Sequence, residues 1–190
     1  MHLVRRQIQI RGGFAMLETP DVGLLDGVVA PRILDAMQRA WARLTELGIR
    51  HALVGALAVG AHGHPRATKD VDFLVGDEAF QHHAGGLVSI SPGVPIQVND
   101  VPIDPLSIRS DEPYLLAAVS QAVPSRGVPV AALEALIYLK LKSPRRQDAA
   151  DVVALLRVAH DWDEIRRYLT EHAQQLVAKF DSLASETGEE

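Results

Sequence analysis

Apolar positions change period along this chain, and the changes mark its elements. Ile33, Leu34, Met37, Ala40, Trp41, Leu44 and Leu47 recur at helical spacing, and Pro31 stands where a first helical turn tolerates its missing N–H. The spacing predicts a helix over 32–47, stopped by Gly48, with one apolar stripe for a sheet. Residues 51–54 read as a short strand, 57–61 as a small Ala-rich helix, and the apolar run 71–75 as a central strand. A helix is expected over 78–83, ended by Gly85-Gly86. Strands are expected over 95–98 and 101–106, joined by a tight Asn99-Asp100 hairpin that lacks the usual glycine. Beyond Ser107 the period turns helical, over 114–123, 131–142, 147–159 and 162–179, with a loop at 124–129. Before Pro31, an alternating stretch at 7–11 suggests an edge strand and 20–27 a turn-rich connection.

This order predicts an α/β (α+β) fold, a small mixed sheet with flanking helices over 31–110 followed by a C-terminal helical bundle over 111–181. An N-terminal extension, 1–30, and a polar tail that frays, 182–190, complete the expected organisation. Apolar residues make up 47% of the 190 and aromatics only 5%, so the core is built from Leu, Val, Ala and Ile. A net charge of -5 does not advertise general nucleic-acid binding, although a local basic patch can still serve one cleft. Without cysteine there is neither a disulfide framework nor thiolate chemistry. No apolar run reaches membrane-spanning length and the N-terminal segment lacks a signal-like apolar stretch, so no membrane role and a cytoplasmic location are expected.

Candidate chemistry centres on Asp70 and Asp72. Residues two apart on a strand share a face, so the two carboxylates raise each other's pKa unless a cation joins them. Hard oxygen donors of this kind suit magnesium, which commonly meets substrate phosphates as well. Read without a ligand, the pair is a solvated strand edge. Asp104, in VPIDPL, reads alone as a turn residue before Pro105; beside strand 71–75 it becomes a third carboxylate for the same ions. Gly55-Ala56 opens the small helix, where backbone N–H groups either cradle phosphate or simply turn the chain.

The stretch LVGALAVGAHGHPRATKDVDFLV resembles the nucleotidyltransferase superfamily of the DNA polymerase β type. Its pattern is an apolar strand, a small-residue turn, a short helix, then Asp-x-Asp on the next strand. The variant with His62, Gly63, Pro65, Arg66, Thr68, Asp70 and Asp72 is most similar to small bacterial stand-alone members, including AbiEii-like toxins. A second block, LEALIYLKLKSPRRQDAADVVALL, resembles the family's helical segment. The resemblance implies two magnesium ions on Asp70, Asp72 and Asp104. It further implies nucleotide contacts from Gly55, Ala56, Arg66 and Lys140, with Asp148 near the site. The implied reaction moves a nucleoside monophosphate from an NTP to an acceptor hydroxyl. A tRNA end, as for a toxin with an antitoxin partner, an antibiotic and a protein side chain are all open as acceptors. Ala56 departs from the family's Gly or Ser and keeps open a non-catalytic interaction module. Arg145 and Arg146 read either as a basic lip for substrate or as ordinary surface.

Overall fold

The computed structural model describes residues 9–11, 14–16, 19–108, 112, 114–159 and 161–187, and shows a mixed α/β fold around one six-stranded sheet. A hairpin of β1 (Gln9–Arg11) and β2 (Phe14–Met16) precedes helix α1 (Pro31–Glu46). Strand β3 (His51–Leu53), helix α2 (Gly55–Ala61) and strand β4 (Val71–Val75) follow. Next come a hairpin of β5 (Phe80–His82) and β6 (Val88–Ile90), then β7 (Gln97–Val98) and β8 (Val101–Ser107). Helix α3 (Tyr114–Ser120) leads to a hairpin of β9 (Val123–Ser125) and β10 (Val128–Val130). Helices α4 (Leu133–Lys142), α5 (Arg146–Val158), α6 (Trp162–His172) and α7 (Val177–Thr187) complete the described chain. The sheet runs β7-β8-β4-β3-β10-β9. The β4–β8 and β3–β10 pairs are parallel and the others antiparallel.

The stripe read on α1 buries Ile33, Ala36, Met37, Ala40 and Leu44 against β4, β7 and β8. Each large apolar side chain buried in this way contributes roughly 1.5–3 kcal/mol before entropy is counted. Strand β4 is central as expected, with Val71, Phe73, Leu74 and Val75 buried. Gly48 takes a left-handed φ of +68° and ends α1. Among the described residues no helix is long and apolar enough to cross a membrane.

Four expectations need correction. Residues 78–83 do not form a helix: a single 3-10 turn, Asp77–Ala79, runs into β5. That segment has no apolar stripe, so pairing with β6 satisfies its backbone better than an unsupported helix would. The expected loop at 124–129 is a hairpin turning at Arg126-Gly127, both with positive φ. Pro124 faces Pro129 across it, at a rung where facing residues need exchange no hydrogen bonds. The sheet therefore gains two strands from the part of the chain read as purely helical. The last helix breaks after His172, where buried Ala173 leaves helical geometry (φ -158°, ψ 56°). The tail expected to fray from 182 is helical to Thr187. Of the edge strand expected at 7–11, residues 7 and 8 lie outside the described residues, and 9–11 form β1.

Candidate functional site

Strands β4 and β8 pair in a register that sets Asp72 beside Asp104. Parallel neighbours lie about 4.8 Å apart with facing side chains on one side of the sheet. The intervening residues Val71, Phe73 and Ile103 point to the opposite face and are buried there. Alternation along the chain puts Asp70, one residue ahead of β4, on the side of Asp72. Asp104 is exposed, while Asp70 and Asp72 are half-buried. The Thr68 hydroxyl donates to Asp70 Oδ1 at 2.6 Å, fixing that carboxylate's orientation.

The turn from β3 into α2 sits directly on this face. Val54 N–H donates to the Asp72 carbonyl at 3.0 Å. Gly55 takes φ +64°, and a Cβ there would stand 1.7 Å from Asp72 Oδ2. Only glycine meets both demands, a left-handed backbone and no side chain against the carboxylate. Ala56, next in the turn, is buried.

Burial raises the Asp72 carboxyl to about 6, the negative charges of Asp70 and Asp104 push it the same way, and Lys140 and Arg145 partly offset them. Asp72 is thus a carboxylate short of positive charge. The donor set fits a hard divalent cation: three carboxylates on adjacent chain segments, one held unfavourably by its like-charged neighbours. Among the described residues, no group of three His, Asp or Glu side chains is gathered tightly enough to hold a metal ion as the side chains stand. The backbone register brings the three aspartates to one face; their carboxylate rotamers are not drawn together.

A second charged group lies beside this face, where Lys140 and Arg145 lower Asp72. Lys140 Nζ, buried, meets Asp148 Oδ1 at 2.6 Å and Asp151 Oδ2 at 2.7 Å. Arg66 clasps Asp151 through Nε and Nη2, both at 2.8 Å. Gln147 adds a bond to Asp151 Oδ1 at 3.1 Å. Arg145 Nε donates to Asp148 Oδ2 at 2.7 Å. Burial alone would raise Asp151, but hydrogen bonds from Arg66, Lys140 and Gln147 outweigh it and hold the group at about 2. Asp148 is also lowered: against burial stand its bonds from Lys140, Ser143 and Arg145. The Arg66–Asp151 clasp ties α5 to the loop that carries Asp70. His62 adds a further tie, its Nε2 lying 2.9 Å from the Ala131 carbonyl at the entry to α4.

The sequence-predicted residues therefore fall into two sets. Asp70, Asp72, Asp104 and Gly55 share one face, while Arg66, Lys140 and Asp148 belong to the ion network beside it. Lys140, implied as a nucleotide contact, is buried and paired with two carboxylates. Asp151, the centre of that network, was missed. Its signal was legible: Asp148, Asp151, Val152 and Leu155 lie at helical intervals on one stripe, and a carboxylate on a core-facing stripe demands a cation.

No protein-family model matches the chain, and no curated protein matches it. Among solved structures it is similar to the crystal structure of an antigenic nucleotidyltransferase-like protein from Paracoccidioides brasiliensis. The TM-score is 0.44 at 16% identity, over 83% of this chain and 94% of that one.

Proposed function

We propose that this chain is a magnesium-dependent nucleotidyltransferase that moves a nucleoside monophosphate from an NTP to an acceptor hydroxyl, releasing pyrophosphate. The observation that carries the reading is the parallel register of Asp72 against Asp104, with Asp70 on the same face and Gly55 opening the space in front of Asp72. Magnesium, when bound, supplies Lewis-acid activation of the attacking hydroxyl and neutralises charge on the leaving pyrophosphate. In this reading Asp70, Asp72 and Asp104 would hold the two ions. Asp104, the most exposed of the three, also accepts the proton of the acceptor hydroxyl. Gly55 and Ala56 offer backbone N–H groups to phosphate oxygens, and Lys140 balances charge from within its buried ion network. Catalysis then rests on positioning and charge neutralisation rather than on covalent steps.

The acceptor favoured by the sequence resemblance is a tRNA end, in a cytoplasmic toxin with an antitoxin partner. The direct experiment incubates the protein with each α-labelled NTP, magnesium and total tRNA. Label should appear on RNA for at least one NTP, and Asp72→Asn and Asp104→Asn should each lower incorporation by ~100-fold or more while melting as folded proteins. Full incorporation by either variant would remove the assigned roles. Label on a small molecule or protein instead would keep the chemistry and change the acceptor.

A further inference from the structure

The ion network beside the acidic face does not share its charges evenly. Lys140 Nζ is bonded to two carboxylates and its side chain is only 7% exposed. Arg66 spends two donors on Asp151. These two cations balance Asp148 and Asp151. Arg145 is the charge left over. Its side chain is 76% exposed although it is bonded to a carboxylate that is 3% exposed. Only Nε is engaged, with Asp148 Oδ2 at 2.7 Å and Ser143 Oγ at 3.3 Å. The two terminal nitrogens, with four N–H donors, make no hydrogen bond to any described residue.

That is the arrangement of a presented guanidinium. A buried aspartate, itself pinned by Lys140, fixes the near edge of the group and leaves the far edge to solvent. The helix it leads, α5, is clasped through Asp151 to Arg66, four residues before Asp70. We infer that Arg145 is the side chain that binds the phosphate oxygens of the nucleotide, beside the backbone of Gly55 and Ala56, with Lys140 and Asp148 acting as positioning residues that aim it. The inference rests on the nucleotidyltransferase reading above and reassigns the phosphate contact within it. Arg145 reaches the loop that carries Asp70 through a chain of contacts: its own bond to Asp148, Lys140 between Asp148 and Asp151, and the Arg66–Asp151 clasp. A planar fork held by one edge suits a polyphosphate, because its free edge can donate two parallel hydrogen bonds.

The test measures equilibrium binding of magnesium–ATP, and of magnesium–pyrophosphate, to the full chain and to Arg145→Ala, Arg145→Lys and Arg146→Ala. Binding is read by calorimetry, and each variant's melting temperature is recorded. Arg145→Ala should melt like the parent and bind both ligands ~10-fold or more weakly, as expected for lost charge-assisted hydrogen bonds. Arg145→Lys should recover only part of the loss, because one ammonium replaces a fork. Arg146→Ala, one residue on and also exposed, should bind like the parent. A parent that binds while Arg145→Ala binds within about twofold would overturn the inference and leave the functional reading standing. An equal loss in Arg146→Ala would also overturn it, reducing the effect to general positive charge. A parent that binds neither ligand would overturn the functional reading itself, and the inference with it.

Discussion

The acidic face and the ion network beside it use the same carboxylate chemistry to opposite ends. At Asp72, burial and two like charges push the carboxyl up to about 6. At Asp151, more deeply buried, three hydrogen-bond donors hold it near 2. Burial acts in the same direction on both, so the partners decide the sign. The buried members of the network, Lys140, Asp148 and Asp151, are paired with one another and with Arg66, and contribute to holding the fold. The face is incomplete, and its missing positive charge is the kind a divalent ion supplies. On the proposed function, the contrast separates side chains that hold the fold from side chains that hold the ligand.

Breaking the network should have the larger effect on folding. Asp151→Ala leaves Lys140 and Arg66 without one shared partner in a buried setting, and should cost roughly 3–5 kcal/mol in urea unfolding. A loss below about 1 kcal/mol would mean that the ion pairs are not closed off from water as the geometry requires. The junction of face and fold comes next. Gly55→Ala should destabilise by roughly 1–3 kcal/mol and weaken magnesium binding, because strain adds to a collision with Asp72. Gly48→Ala is the control: it has the same sign of φ (+68°) but open space around the added Cβ, so it should cost about 1 kcal/mol of strain alone. Equal effects at the two glycines would remove the claim that Gly55 is kept for the approach of Asp72.

Much of this division was legible in the chain, for identifiable reasons. The acidic face followed from strand alternation in 71–75 and from Asp104 inside an apolar stretch. Helix α1 followed from an uninterrupted stripe. The Asn99-Asp100 turn formed without glycine because both residues adopt positive φ, 47° and 62°, which short polar side chains tolerate. The β9–β10 hairpin was hidden by its two prolines, which argue against strands until they are seen to face each other across the ladder. The break after His172 carries no Gly or Pro to announce it. The Arg66–Asp151 clasp escaped because its partners stand 85 residues apart, a separation that no local period encodes.

The central claim is that the face around Asp72 is built for a divalent cation, and pH supplies its sharpest handle. A carboxyl raised to about 6 makes the native chain hold more protons than the unfolded one below that pH. Without metal, this group's contribution to stability therefore grows as pH falls from about 6 toward its unfolded value, and it is lost again as pH rises. Asp72→Asn removes the burden and should be more stable than the parent near neutral pH, by up to roughly 3 kcal/mol. Melting temperature measured with and without saturating magnesium, at about pH 7.5 and about pH 5, tests the claim directly. Magnesium should raise the parent's melting temperature clearly at the higher pH and little at the lower, and should leave Asp72→Asn unchanged at both. A parent whose melting temperature ignores magnesium at the higher pH, or an Asp72→Asn variant that responds as strongly as the parent, would contradict it.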